Sequence, residues 1–418
     1  MGDDVYIVGA GMTRFGKYPD KGIKQLTAEA MEALAEDLTF DKKDIQAAWF
    51  SNTGWGIYQG QHGIRGEVAL APVGIQGIAI TNVENACAGG STALREAWMG
   101  IKAGLYDVVL AVGAEKVWFP EDKKKMFEGF MSGADVEFIR TIIEQFQADA
   151  KKKASESKST GKEKQGGHSA FMDIYAMGAR VHMQQYGTTQ RQLACIAAKN
   201  HHHGSMNPLA QYQMDMSVDE VLDDVMVAYP LTRSMCAPVG DGGAAAILCS
   251  ERALSRFPDA RPVRIRACTQ GSGSLPDSGL ESIGPRVARE TYEAAGLGPE
   301  DIDLAEVHDA TSFGELAQYE ELGLCPVGEG GPFAESGATA LGGKIPVNTS
   351  GGLECRGHPI GASGIAMAYD LCKQLRGECG PRQVEGARIA LQENGGGFIG
   401  LSAAALCMFV FESMNGTR

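Results

Sequence analysis

Among 418 residues, Cys87 stands where a cysteine can act as a nucleophile. It lies in Asn85-Ala-Cys-Ala-Gly-Gly-Ser-Thr92, a run of small residues between an expected strand and an expected helix. A thiol at a helix N-terminus faces unpaired backbone N–H groups and the positive end of the helix dipole, so this placement predicts a lowered pKa and available thiolate. Gly89 and Gly90 leave room for an acyl group close to the backbone. A cysteine among Ala and Gly is more often a small buried hydrophobe. The chemistry therefore depends on what else can be brought to it.

A thiol nucleophile needs a base and donors for the charge that develops during attack. His358, in Gly357-His-Pro-Ile-Gly-Ala-Ser-Gly364, is the candidate base. His308, in His308-Asp-Ala-Thr311, and Asn394, in Asn394-Gly-Gly-Gly-Phe-Ile-Gly400, both follow expected strands, where α/β proteins build their sites. The glycine run can turn backbone N–H groups towards an oxyanion. Glu115 ends another expected strand, where capping of local backbone groups is the simpler role. His201-His-His203 has zinc-type atoms but no second ligand cluster, which favours a structural or ligand-adjacent place.

Cys87 and His358 hold matching places in an internal repeat. The first copy reads strand (Val5–Gly9), helix (Leu26, Ala30 and Leu34 at period 3.6), Asp41-Lys-Lys-Asp-Ile45, strand (Ala47–Phe50). The second reads strand (Val263–Ala267), helix (Gly284–Ala295), Gly298-Pro-Glu-Asp-Ile302, strand (Leu304–Val307). In each copy a helix then follows the Cys87 or His358 turn and leads into an apolar strand, Val108–Val112 or Arg388–Leu391. Continuous apolar strands alternating with helices mean sheets covered on both faces. If the copies are related by a pseudo-twofold axis, the Cys87 and His358 turns face each other.

Between the copies lies a segment of different character. Its tract from Lys151 to Lys164 is polar and charged throughout, which suits a solvated linker or a lid whose lysines meet an anionic ligand. Phe127, Phe130, Met131, Phe138, Ile142 and Phe146 precede it and could close over a substrate or simply pack a helix. The formal charge of −14 argues against a general nucleic-acid role. No stretch of about 18 apolar residues is present to span a membrane, and the N-terminus lacks a signal-peptide pattern. Ten scattered cysteines without CxxC pairs fit reduced thiols and a cytoplasmic location.

These motifs resemble those of the thiolase superfamily, over essentially the whole chain. The Cys87 segment resembles the nucleophile loop, and Asn348-Thr-Ser-Gly-Gly352 with Gly357–Gly364 resembles the histidine motif. Pro238-Val-Gly-Asp-Gly-Gly-Ala-Ala-Ala246 resembles the return from the lid, and His308-Asp resembles the sterol-carrier-type branch. The resemblance implies a duplicated five-layered αβαβα core with an inserted lid. Residues 1–118, completed by 230–260, would form one half, 119–229 the lid, and 261–418 the other half. It further implies that Cys87 carries the acyl group and His358 activates it. His308 and His358 would polarise the thioester oxygen, while the N–H groups of Cys87 and Gly396 would hold the other oxyanion. Coenzyme A is then a co-substrate, with no prosthetic group or metal, and Lys151, Lys152 and Lys153 are candidates for its phosphates. A homodimer core and a small zinc-ribbon/OB-fold partner subunit also follow.

The chain departs from the pattern at the second catalytic cysteine. One usual source falls at Asn394 and the other at Ala310, which leaves Cys355 and Glu354 as substitutes. Cleavage needs only an acid to protonate the departing enolate, so the departure favours degradation of a bulky or branched 3-ketoacyl-CoA. The combination resembles the thiolases of anaerobic toluene breakdown, which split 2-benzoylsuccinyl-CoA into benzoyl-CoA and succinyl-CoA. The alternatives are a retro-aldolase on the same scaffold, acting on a sterol or branched 3-hydroxyacyl-CoA, and a non-catalytic acyl-CoA or lipid-binding protein.

Overall fold

The computed structural model describes residues 4–137, 141, 170–400 and 402–414. Lys151, Lys152 and Lys153 lie outside the described residues, as do Phe138, Ile142 and Phe146. The strands are β1 (Val5–Met12), β2 (Ala47–Ser51), β3 (Ala79–Val83), β4 (Val108–Glu115), the short β5 (Met226–Ala228) and β6 (Leu231–Thr232), β7 (Gly242–Ser250), β8 (Val263–Ser272), β9 (Leu304–Glu306), β10 (Ile389–Ile399) and β11 (Ser402–Ser413). The helices that frame the site are α1 (Ile23–Asp37), α2 (Gly89–Lys102), α3 (Ala170–Tyr186), α4 (Gln190–Ser205), α5 (Ile283–Ala295), α6 (Ser312–Glu321) and α7 (Ile360–Arg376).

The repeat seen in the sequence is a repeat of strand pairing. In the first half β2 runs parallel to β3 and β4, and β7 runs antiparallel to β4 and β1. In the second half β9 is parallel to β10, and β11 is antiparallel to β10 and β8. A parallel bridge between Ala305 and Val347 stands where β3 stands in the first half. Tyr6↔Arg264 and Ile7↔Val263 join the halves edge to edge. The resulting order is β3-β2-β4-β7-β1-β8-β11-β10-β9.

Side-chain alternation explains the layers. Side chains on a strand point alternately to its two faces. In β4, Val109 and Ala111 enter the central core, whereas Val108, Leu110 and Val112 enter the outer core that α1 covers. In β11, Cys407, Phe409 and Phe411 enter the central core, and Leu406, Met408 and Val410 enter the opposite outer core with residues of α5 and α6. Helix, sheet, central helices, sheet and helix therefore stack in five layers, as expected from the sequence.

The central layer is α2 and α7, and glycines let them cross closely. A Cβ on Gly90 would press on the Gly361 carbonyl at 2.9 Å and the Gly364 amide at 3.1 Å. One on Gly364 would collide with Ser91. Each helix begins just after one of the two chemical turns, so this crossing brings Cys87 and His358 together. Asp241, at the mouth of β7, fixes the chain leaving β4. Its Oδ1 accepts the N–H groups of Val117 and Trp118, both at 2.8 Å, and its Oδ2 pairs with buried Lys116 at 2.8 Å.

Candidate active site

The Cys87 sulphur and one ring nitrogen each of His308 and His358 lie within 4.8 Å of one another. The two imidazoles meet edge-on, with centroids 5.2 Å apart. A cavity of about 1180 Å³ opens over all three.

Ala86 precedes the nucleophile with φ of 47°. That left-handed conformation is uncommon for a residue with a side chain. The turn closes through Ala88 N–H to Asn85 O and Gly89 N–H to Ala86 O, both at 3.0 Å, and α2 starts immediately. The sequence predicted a lowered thiol pKa from this helix end. The structure reverses that expectation: burial pushes the Cys87 thiol up to about 12, against the opposing pull of the Gly397 and Cys87 backbone N–H groups. Desolvation of a thiolate outweighs the helix end here. The resting pair is a neutral thiol beside a neutral imidazole.

His358 is set up to accept a proton. Ser363 Oγ donates to the Pro359 carbonyl at 3.0 Å, so it accepts from His358 Nδ1–H at 2.7 Å. Nε2 then carries the lone pair, and it has no hydrogen-bond partner. Burial, with His308 and Arg356 nearby, keeps the ring well below its ordinary pKa.

His308 has the opposite tautomer. Gln392 Nε2 donates to Ser91 Oγ at 2.8 Å, Ser91 Oγ donates to Asn394 Oδ1 at 2.7 Å, and Asn394 Nδ2 reaches His308 Nδ1 at 3.2 Å. Nδ1 is thus an acceptor and Nε2 bears the hydrogen. Burial lowers this ring to about 4, so it stays neutral and donates. Asp309 ties the two histidine loops together, accepting from Leu353 N–H at 2.7 Å and Glu354 N–H at 3.2 Å, in the turn before His358.

The glycine run meets the nucleophile turn. Gly396 packs against the Cys87 turn, where a Cβ would collide with Asn85 O and Ala88 N. The neighbouring Gly397 N–H acts on the Cys87 sulphur itself. Asn394 does not line the cavity. Its partner in the ladder, Cys407, points into the central core. Glu393, one residue earlier, lines the cavity instead, and it was not singled out from the sequence. An acidic residue in an otherwise neutral strand, just before a glycine run, was the available signal.

Other expectations separate cleanly. Cys355 and Glu354 lie outside the cavity lining; Glu354 is held by Ser312 Oγ at 2.7 Å and Asn200 Nδ2 at 3.1 Å. Neither is placed to act at Cys87. Ala310 lines the cavity, and beside it stands a cysteine the sequence reading passed over, Cys236, whose thiol donates to Thr232 O at 3.4 Å. Glu115 accepts from Asn52 Nδ2, Thr53 N–H, Gly54 N–H and Gly361 N–H at 2.9–3.0 Å, a capping role that also bridges the two halves. His201, His202 and His203 hydrogen-bond in three different directions, to Met214 O and Ser234 O, to Asp215, and to Asn348 O. Phe127 and Phe130 line the cavity.

The layered duplication and the thiol–imidazole cluster define a class of acyl-transferring enzyme, and the chain belongs to the thiolase family. Residues 5–252 match the family model "Thiolase, N-terminal domain" and residues 274–408 match "Thiolase C-terminal domain-like". The acetyl-CoA acetyltransferase of Methanothermobacter thermautotrophicus is 38% identical, over 96% of this chain and 98% of that one. Sterol carrier protein 2 of Bos taurus is 36% identical over 96% of this chain and 71% of its own length. The benzoylsuccinyl-CoA thiolase subunit BbsB of Thauera aromatica is 33% identical over 94% of both chains. Among solved structures, one titled "Ltp2-ChsH2(DUF35) aldolase" superposes with a TM-score of 0.74 over 99% of each chain at 23% identity, a likeness of fold. No helix among the described residues is long and apolar enough to cross a membrane.

Proposed function

We propose that the protein cleaves a bulky or branched 3-ketoacyl-CoA with CoA, through an acyl group carried on Cys87. The convergence of a thiol, an accepting imidazole and a donating imidazole at one end of a large cavity carries this reading. His358 Nε2 takes the Cys87 proton as the sulphur attacks the keto carbon. The Gly396 and Cys87 N–H groups hold the resulting oxyanion, and His308 Nε2–H polarises the thioester oxygen of the departing enolate. CoA then accepts the acyl group as a co-substrate, and no prosthetic group is required.

The cavity wall favours an aromatic or branched acyl chain. Met126, Phe127, Phe130, Phe171, Met172 and Leu280 line it. Together with the similarity to a benzoylsuccinyl-CoA thiolase subunit, this supports 2-benzoylsuccinyl-CoA as substrate, giving benzoyl-CoA and succinyl-CoA. Lys17, Lys123 and Arg233 also line the cavity and can meet the CoA phosphates as positive charges, alongside Lys151, Lys152 and Lys153. β3 pairs on one side only and offers an edge for a homodimer. That relative's name as a subunit favours a partner chain, for which a small zinc-ribbon/OB-fold protein is our candidate. Ten free cysteines fit the reducing cytoplasm.

The test is reverse condensation of benzoyl-CoA with succinyl-CoA, with and without the candidate partner. Product is expected. No product alongside brisk acetoacetyl-CoA thiolysis would reject the aromatic substrate. Cleavage of a 3-hydroxyacyl-CoA without any acyl mass on Cys87 would support the retro-aldolase instead.

A further inference from the structure

Among the described residues, one thiol besides Cys87 (Cys236) and two carboxyls (Glu321 and Glu393) line the cavity and could supply the missing acid. Cys236 directs its hydrogen to the Thr232 carbonyl. Cys355 and Glu354 lie behind the wall, and Glu115 has donors on both oxygens. Glu321 is raised to about 7 by burial but is held by the Gln318 side chain, and Glu393 differs from it and from the others. It is fully buried, it lines the cavity, and its Oε2 accepts the His308 backbone N–H at 2.9 Å. Its Oε1 has no hydrogen-bond partner. A buried polar atom left unpartnered in a substrate cavity calls for an explanation, and a proton-transfer role supplies one.

The register of β10 places it there. Glu393 pairs with Met408 and Gly395 with Leu406, residues of the face opposite the central core, and Leu406 itself lines the cavity. Asn394 takes the other face and orients His308. One strand thus presents a proton carrier to the substrate and a positioning amide to the histidine.

We propose that Glu393 is the general acid–base that moves the α-carbon proton, a step that rests on the thiolase reading above. In cleavage, Cys87 gives its proton to His358 Nε2 and attacks the keto carbon. The C–C bond breaks, its electron pair forms the enolate, and Glu393 protonates the α-carbon to release the first acyl-CoA. CoA thiol then gives its proton to the Glu393 carboxylate and attacks the acyl-Cys87 thioester. The Cys87 thiolate leaves and recovers its proton from His358, so every group returns to its starting state.

Burial pushes Glu393 up to about 8, with the Glu321 charge adding to the rise and the His308 and Gly395 backbone N–H groups opposing it. Its acid form therefore predominates at neutral pH, which suits cleavage. The groups facing it are Glu321 at the end of α6, Tyr175 of α3, the His308 loop and the Cys87 turn.

The experiment compares wild type with Glu393→Gln, which keeps an oxygen for the His308 amide. Two readouts are taken: deuterium incorporation at the α-carbon of acetyl-CoA, propionyl-CoA and succinyl-CoA in D₂O, and benzoyl mass on Cys87 after long incubation with benzoyl-CoA. Benzoyl-CoA has no α-hydrogen, so it reports acylation alone. Wild type exchanges at least one thioester. The Gln variant loses that exchange by about 10²–10⁴-fold yet still gains the benzoyl mass. In wild type, exchange rises with pH up to about 8 and cleavage falls above it, and both limbs vanish in the variant. Glu393→Asp restores part of the exchange. Exchange in Glu393→Gln within tenfold of wild type would overturn the assignment while leaving the thiolase reading standing. Failure of wild-type Cys87 to gain any acyl mass would overturn the thiolase reading itself.

Discussion

Glu115 and Glu393 are both buried carboxyls, on corresponding strands of the two halves, β4 and β10. Burial raises both, to about 7 and about 8. They differ in what surrounds the oxygens. Glu115 accepts four hydrogen bonds, three from backbone N–H groups, and one of these comes from Gly361 at the start of α7. Glu393 accepts one full hydrogen bond, from the His308 backbone, and its buried Oε1 makes none, with the Gly395 N–H near enough only to oppose its rise. A saturated carboxyl pins structure because every substitution strands its donors. An unsaturated one remains free to exchange a proton. The number of donors, rather than burial or pKa alone, separates the two roles.

The baseline for this contrast comes from Cys87. Cys87→Ala is expected to leave less than about a thousandth of wild-type thiolysis with a nearly unchanged melting temperature, since the backbone hydrogen bonds that close its turn remain. Steady-state assay and thermal unfolding check both halves of that statement. Next in size, Glu115→Gln should behave unlike Glu393→Gln. It turns an amide towards backbone donors and should cost about 1–3 kcal/mol of stability, read as a lower urea midpoint. The Glu393 variant should keep its urea midpoint close to wild type. Equal stability losses in both would erase the distinction.

Smaller effects should follow along the tautomer chain. His308→Ala removes one oxyanion donor, worth about 10²–10³ in rate. Asn394→Ala should cost less than that, because it frees the His308 ring without removing it. Equal losses would mean that the amide does more than orient the ring. His358→Ala should in addition slow alkylation of Cys87 by iodoacetamide, because the base is gone. Equal alkylation rates would contradict the tautomer assigned through Ser363.

The smallest effect is on stability against pH. Both glutamates have folded pKa values above the unfolded value of about 4.3, so the folded state binds more protons between that value and about 8. Their contribution is present below the unfolded value and is lost as pH rises through about 7 and about 8. Melting temperature should therefore fall between about pH 4.5 and about pH 8. Glu393→Gln should flatten the upper part of that fall, whereas a flat wild-type curve would remove the basis for treating either carboxyl as raised.

The sequence carried much of the frame. The doubled order of strand, helix and Asp-Ile turn foretold the paired halves, and the positions of Cys87, His308 and His358 after strands or before helices placed them in one cluster. The sequence was silent where register or solvation decides. Gln392, Glu393 and Asn394 are consecutive, and only the ladder to β11 tells which of them faces the cavity, since a shift of one residue exchanges faces. The same ambiguity made Asn394 stand out as the site position and hid Glu393. The helix dipole at Cys87 was legible, but the desolvation that overcomes it comes from packing between distant segments, which motif spacing does not show. Ser363 and Asn394 set the two tautomers through contacts that motif spacing does not reveal.

The central claim is that Cys87 carries the acyl group, and the most direct measurement is the mass of the intact chain after exposure to an acyl-CoA panel that includes benzoyl-CoA. A single acyl increment is predicted, located on the peptide containing Cys87, discharged by added CoA and absent from Cys87→Ala. Full turnover of a substrate with no increment at Cys87, or an increment that survives in Cys87→Ala, would contradict the account.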